Sequence, residues 1–506
     1  MSKNHSSGQE KIGYFIKNLR NKRGLTQNDF AKLLKTSQSA VARMERGQQN
    51  FTTGELQKIS DALGHQILSL SDSVDFRVTG GKKLHGSVTT NTSKNGAMAL
   101  IACALLNKRQ TTLHNIPKIE EVFRIIEVLE SIDVVARWQD SSLVIIPPKK
   151  FNLNKIDKNA ATKTRSVIMF IGGLIHHLSE FEIPHAGGCK MGNRTIAAHK
   201  YALEELGVSI NTTNDSYEIS HKKLKPNSIV MYEAGDTPAI NTLIAAAGIK
   251  GQTKISFSSS NYQVQEACFF LEKLGVKIEG IGTSTLVVNG KENIAEDIEY
   301  YCSEDPIESM MFISAAIVTK SELEIKRCPI DFIQLELYKL KKMGLKYKIL
   351  KMYKALNERT DLVDIKIFPS KLKAPTDKIH ALPYPGINTD NLPFFVTIAT
   401  QAEGQTMVHD WMWESRAIYF TELNRLGADV NLLDPHRVLI NGPTQLKPAQ
   451  IVCPPALRPA AIILISMLAT NGVSVLRNVY AIERGYQEIA ERLNAVGAEI
   501  EVVSGV

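Results

Sequence analysis

Leu203-Glu204-Glu205-Leu206-Gly207 is a phrase that the chain repeats. Segments of the same build start at residues 129, 271, 340, 423 and 493: Leu129-Glu130-Ser131-Ile132-Asp133, Leu271-Glu272-Lys273-Leu274-Gly275, Leu340-Lys341-Lys342-Met343-Gly344, Leu423-Asn424-Arg425-Leu426-Gly427 and Leu493-Asn494-Ala495-Val496-Gly497. Two apolar residues three apart share one face of a helix, and a glycine in fifth place supplies the left-handed residue that ends it. A β-like run follows, as in Val208-Ser209-Ile210, Val276-Lys277-Ile278 and Glu499-Ile500-Glu501-Val502. Repetition at a near-even period is the mark of stacked supersecondary units, here of mixed α/β type. The phrase therefore predicts six α/β units over most of the chain.

Working outward, 506 residues are too many for one ordinary core, so more than one domain is expected. An apolar fraction of 43% with 22% charged residues is that of a globular chain. The strongly apolar run 460–469 is about half as long as a bilayer span requires, and the polar start lacks a signal-peptide core. Cysteines at 103, 189, 268, 302, 328 and 453 form no CxxC pair. That spacing argues against a disulfide framework or a zinc site and fits a reducing, cytoplasmic setting. No metal, cofactor or membrane partner is expected.

The first seventy residues stand apart. Within the first fifty, ten Lys and Arg face three acidic residues, the electrostatic footprint of a polyanion partner. Ile12, Phe15, Ile16 and Leu19 form one helical stripe; Thr26 is placed to cap a second helix carrying Phe30, Ala31 and Leu34; Ser37 caps a third that runs through Arg46 to a stop at Gly47; Leu56, Ile59 and Leu63 close the bundle. Leu25-Thr26-Gln27, Phe30-Ala31 and Ser37-Gln38-Ser39-Ala40-Val41-Ala42-Arg43 resemble phage-repressor-like helix-turn-helix domains. That resemblance implies double-stranded DNA as partner, with Gln38 and Ser39 at base edges and Gln27 and Arg43 on the backbone. A helical interaction module without DNA binding is the competing reading. Dimers are the rule for such modules, which allows a homodimer. The expected layout is a polar tail over 1–10, this domain over 11–68, a connection over 69–75 and a large body over 76–506.

In the body, His185-Ala186-Gly187-Gly188-Cys189-Lys190-Met191-Gly192-Asn193-Arg194 is a glycine-rich loop with a thiol at its centre. Lys190 and Arg194 favour its thiolate, so the loop either presents a reactive thiol able to close over a site or is a surface loop with an incidental cysteine. With three further stretches it resembles the UDP-N-acetylglucosamine enolpyruvyl transferases of the EPSP synthase-like family: 76–86 running into Ser93-Lys94-Asn95, the turn Ile387-Asn388-Thr389-Asp390, and Arg484-Gly485-Tyr486 with the last repeat phrase. The resemblance implies two lobes of three units each, helices inside and sheets outside, an inside-out α/β barrel. One lobe would combine about 76–92 with 303–506 and the other would span about 93–302, the site lying between them.

It also implies a reaction: the enolpyruvyl group of phosphoenolpyruvate moves to a hydroxyl of UDP-N-acetylglucosamine or a related nucleotide, phosphate is released, and the product feeds peptidoglycan synthesis. Such chemistry needs cations for phosphate and carboxylate, an acid for the vinyl carbon and a base for the hydroxyl. The resemblance assigns the acid to Cys189, also the residue that the epoxide fosfomycin would alkylate, and the base to Asp390, a turn residue by its local sequence. Lys94 joins them as a catalytic cation. Asn95, Arg165, Arg194, Arg416, Arg458 and Arg484 would hold substrate, arginine being suited by its planar fork.

Four positions depart from the family: Ala197, Glu233, Pro306 and Ala456 stand where it has Asp, Lys, Arg and Asp. The donor half looks kept and the acceptor half altered; Glu for Lys beside a diphosphate turns attraction into repulsion worth kilocalories per mole. A metabolite-sensing DNA-binding regulator with little turnover, and a transferase with another acceptor, are the readings that compete.

Overall fold

The computed structural model describes residues 8–23, 25–49, 51, 53–63, 74–185, 187 and 195–504. The chain separates into two compact units, one of residues 1–72 with 137–141 and the other of residues 73–136 with 142–506.

The first unit is built from the helices Gly8–Lys22, Gln27–Leu33, Gln38–Glu45 and Thr53–Leu63. Thr26 and Asp29 form a reciprocal capping box at the second, and the Ser37 hydroxyl accepts from Ala40 N at the third. Ile16, Leu19, Phe30, Val41, Met44, Ile59 and Leu63 make the core. Phe15 departs from the expected stripe and is largely exposed. Gly13 takes the inward place instead, because a Cβ there would stand 2.4 Å from the Met44 carbonyl oxygen; the helix lies too close to the end of its neighbour for any side chain. Under this contact Arg20 is paired with Glu45, both buried.

In the second unit the six repeat phrases end alike. Asp133, Gly207, Gly275, Gly344, Gly427 and Gly497 all have positive φ, between 68° and 109°. Amides at 134, 276, 345, 428 and 498 reach back to carbonyls at 129, 271, 340, 423 and 493, the six-to-one bond of a Schellman cap. A strand then begins: Val135–Gln139, Val208–Thr212, Lys277–Glu279, Lys346–Lys354, Asp429–Asp434 and Ile500–Ser504. Asp133 adopts the conformation that glycine holds elsewhere, within the reach of a short polar residue. The fifth helix, Arg416–Leu426, is wound as 3-10.

The described strands form six sheets. Three of them use only strands within 74–89 and 323–504; the other three use only strands within 111–301. Each set surrounds helices of its own. Pro306–Val318, Leu392–Ala399 and Leu457–Leu468 pack on one another in the first; Lys94–Ala104, Asp236–Ala247 and Tyr262–Lys273 do so in the second. Every residue of Pro306–Val318 is buried, which is why these helices read as apolar on all sides. The body's first strand, Val74–Gly80, begins two residues before the expected 76, because Val74 and Asp75 pair with Ser504 and Val503 of the last strand. The chain crosses between the sets twice, side by side: Ser93 N donates to Ser303 O (2.8 Å) and Asp305 N to Asn91 O (2.9 Å).

Candidate active site

Between the two sets of sheets lies a cavity of 610 Å³. Its walls come from helix starts and turns of both: Lys94 and Asn95 open one helix, 232–238 lead into the Asp236–Ala247 helix, 388–390 form a turn, and Arg458 and Arg484 come from the C-terminal quarter. Asn388 Nδ2 to Asn261 Oδ1 and Ser260 Oγ to Tyr384 O, both 3.4 Å, join the walls.

Asp390 is the negative centre. Arg458 donates to its Oδ2 from Nη2 (3.1 Å) and Nε (3.3 Å), and Arg416 Nη1 stands 3.7 Å from Oδ1. Burial pushes this carboxyl up, but Arg458, Arg416 and Lys94 outweigh it and hold it below the usual carboxylate value. About a quarter of its side chain stays open to the cavity. Arg458 also donates to Tyr486 Oη (2.7 Å). Arg416 is almost wholly buried: its Nε and Nη2 hold Asp410 (2.5 and 2.9 Å), and Nη2 also donates to Thr389 O (2.7 Å). Arg416 thus ties the buried Asp410 to the turn that carries Asp390.

Lys94 and Arg484 meet on one carboxylate. Lys94 Nζ lies 2.9 Å and Arg484 Nη2 3.2 Å from Glu121 Oε2, while Thr164 donates to Oε1 (3.1 Å). Burial raises the Glu121 carboxyl, and the two cations more than reverse the shift. Sequence reasoning missed Glu121. Its signal was local: Glu121 falls on the inward face with Ile125 and Val128, an acidic residue at a core position. Asn95 Nδ2 donates to the buried Tyr262 Oη (2.9 Å). Asp305, also missed, caps the Pro306–Val318 helix through Ile307 N (2.8 Å); burial lifts its carboxyl to about 6 against the pull of Arg458, with Glu308 adding to the rise.

Arg165 lines the opposite wall and donates from Nη2 to Thr195 O (3.1 Å). Burial lowers its pKa, partly offset by Tyr217 and Glu233. Cys189 and Arg194 lie outside the described residues, as do Lys190 and most of their loop; Thr195, which follows it, reaches the cavity. Of the four altered positions, Ala197 and Glu233 line the cavity, Pro306 follows the Asp305 cap, and Ala456 is buried just before Leu457–Leu468 without a side-chain cap. In the first unit Gln38, Ser39 and Arg43 are exposed. Gln38 Nε2 donates to Gln27 Oε1 (2.6 Å), and Gln27 Nε2 to Glu45 Oε2 (2.8 Å), so the two glutamines are held as a pair. Among the described residues no His, Cys, Asp and Glu cluster could hold a metal, and no helix is long and apolar enough to cross a membrane.

A helix-enclosing pair of three-sheet sets with a cation-lined cavity between them is the architecture of an enolpyruvyl transferase, and the chain belongs to that family. Residues 78–493 match the EPSP synthase (3-phosphoshikimate 1-carboxyvinyltransferase) family, and 16–66 match a helix-turn-helix family. Among curated relatives, UDP-N-acetylglucosamine 1-carboxyvinyltransferase of Treponema denticola is 33% identical over 85% of this chain and 99% of its own length; that of Bradyrhizobium diazoefficiens is 32% identical over 85% and 98%. Among solved structures, the enolpyruvyl transferase NikO from Streptomyces tendae superposes with a TM-score of 0.74 at 21% identity, covering 85% of this chain and 99% of that one. EPSP synthase from Acinetobacter baumannii gives 0.66 at 17% identity, covering 85% and 100%.

Proposed function

We propose that the body transfers the enolpyruvyl group of phosphoenolpyruvate to a hydroxyl of UDP-N-acetylglucosamine or a related nucleotide, releasing phosphate. The observation that carries this reading is that one cavity is lined by Lys94, Arg458 and Arg484 together with the partly open carboxylate of Asp390. Asp390, kept ionised by its arginines, takes the proton of the acceptor hydroxyl. Lys94 and Arg484, which share Glu121, also hold the phosphate and carboxylate of the donor. Asn95 and Arg458 hold the reacting carbon's oxygens, and Arg416 acts by positioning Asp390. Cys189, with Arg194 on the same loop, brings the proton that makes the donor methylene a methyl group, and one methyl proton is lost as the C–O bond to phosphate breaks, which restores the vinyl group. Arg165 serves the acceptor side. We further propose that the first unit binds double-stranded DNA through Gln38 and Ser39, with Gln27 and Arg43 on the backbone, and that the protein works in the cytoplasm.

The test is phosphate release from phosphoenolpyruvate with and without UDP-N-acetylglucosamine across a panel of nucleotide sugars. Acceptor-dependent release is the expected result; none with any acceptor, alongside ligand-dependent DNA affinity, would favour a regulator instead. Cys189→Ser should abolish covalent labelling by fosfomycin.

A further inference from the structure

We propose that the acceptor wall formed by the start of the Asp236–Ala247 helix receives an uncharged group rich in hydroxyl or carbonyl oxygens, and disfavours a diphosphate. This rests on the enolpyruvyl transfer proposed above, and turns its acceptor away from UDP-N-acetylglucosamine toward one that places no diphosphate on this wall.

A helix start normally welcomes phosphate, because its first amides are free and its dipole is positive. Here three features of the local sequence undo that. Asp236 occupies the first helical position, and its carboxylate is fixed by Ser259 Oγ (2.5 Å), Asn261 Nδ2 (3.1 Å) and Gln263 Nε2 (2.5 Å). A negative charge is therefore already built in where the dipole would greet an anion. Glu233 brings a second: its carboxylate folds against Gly235, so closely that a Cβ on that glycine would lie 2.8 Å from Oε1. Pro238, in the third position, has no N–H, and Ala239 N is already bonded to Gly235 O (3.1 Å). Three amides remain, those of Gly235, Asp236 and Thr237, and a phosphate cradled by them would face two carboxylates.

What the wall offers instead is a directed hydroxyl. Asn241 Oδ1 accepts from Gly172 N (2.7 Å), which orients the amide; its Nδ2 donates to Ile168 O (3.1 Å) and His199 Nδ1 (3.0 Å). His199 is buried and neutral, its pKa pushed down to about 3 by desolvation, with Arg165 adding to the fall. With Nδ1 occupied as acceptor, the ring proton sits on Nε2, 3.3 Å from Thr237 Oγ1. Thr237 accepts that bond, so its own proton is left to point into the cavity it lines. One hydroxyl donor beside two carboxylate acceptors complements a sugar or polyol. Tyr232, on the cavity rim, pairs edge-on with Tyr201 at 5.3 Å and offers a ring face for the same ligand.

Binding to the full chain at low ionic strength, read by calorimetry with UDP-N-acetylglucosamine and with N-acetylglucosamine as probes, tests this. Glu233→Lys is exposed enough to fold, and it should tighten UDP-N-acetylglucosamine binding about tenfold or more while N-acetylglucosamine shifts about twofold or less. Asp236→Asn should move the charged probe in the same direction. Thr237→Val should weaken N-acetylglucosamine about fivefold or more. Unchanged, weaker or undetectable binding of UDP-N-acetylglucosamine to Glu233→Lys overturns the inference, as does an unaltered N-acetylglucosamine affinity in Thr237→Val. Phosphate release in the same samples is a separate readout: its failure with all acceptors sinks the transferase reading and leaves the affinity shifts standing.

Discussion

At the scale of single residues, the cavity is governed by how its carboxylates are set against its cations. Asp390 is held below the ordinary carboxyl value after burial is overcome by Arg458, Arg416 and Lys94, so it stays ionised throughout the neutral range. Asp390→Asn should lower kcat by roughly 10²–10⁴-fold in a phosphate-release assay with the donor KM little changed, as expected for loss of a general base. Glu121→Gln leaves Lys94 and Arg484 facing each other without their shared partner. We expect a stability loss of about 1–3 kcal/mol in urea, recovered by saturating phosphate more fully than in the unmodified protein. Asp305 works in the opposite sense from Asp390. Its folded pKa, about 6, lies above the unfolded carboxyl value, so it contributes stability that is full below about pH 4 and is lost as pH rises through 6. Asp305→Asn keeps the helix cap and should remove that part of the slope between pH 4 and 6 in thermal melts.

At the scale of elements, the repeated helix end is the device that matters. Gly275 and Gly207 share the same left-handed conformation but not the same surroundings: a Cβ at Gly275 meets nothing nearer than the mobile end of Lys291, whereas at Gly207 it would sit 2.6 Å from the Lys223 carbonyl oxygen. Gly275→Ala should cost about 1 kcal/mol from backbone strain alone, and Gly207→Ala clearly more, both read from urea midpoints. In the other direction, Asp133→Gly should stabilise or be neutral, since Asp133 holds φ 68° without glycine's freedom. In the first unit, Ser37→Ala removes the side-chain bond to Ala40 N and should destabilise that bundle by about 1 kcal/mol.

At the scale of the molecule, two units that match different families share one chain. If the Gln38–Glu45 helix reads DNA, Arg43→Ala should weaken binding uniformly across sequences and lower the salt slope by about one, while Gln38→Ala should relax base preference; fluorescence anisotropy over a salt series separates the two. In the body, both sets of sheets must be in place before any site exists, because Lys94 and Glu121 come from one side of the cavity and Arg458, Arg484 and Asp390 from the other.

By itself the sequence determined what is local and periodic. Helix ends repeat because glycine, or an aspartate in its stead, is needed wherever a helix turns into the next strand, and such a need is written within five residues. The caps Thr26 and Ser37 were legible for the same reason. Phe15 and Gly13 were not: which one faces inward depends on how near the next helix comes, and no stripe of apolar residues encodes that distance. The tertiary structure alone decided which charges meet. Glu121 binds Lys94 and Arg484 across 27 and 363 positions of chain. Thr237 owes the direction of its hydroxyl to His199 and Asn241. Electrostatics and hydrogen-bond direction depend on separation in space, and only the folded arrangement of the two sets of sheets fixes that separation.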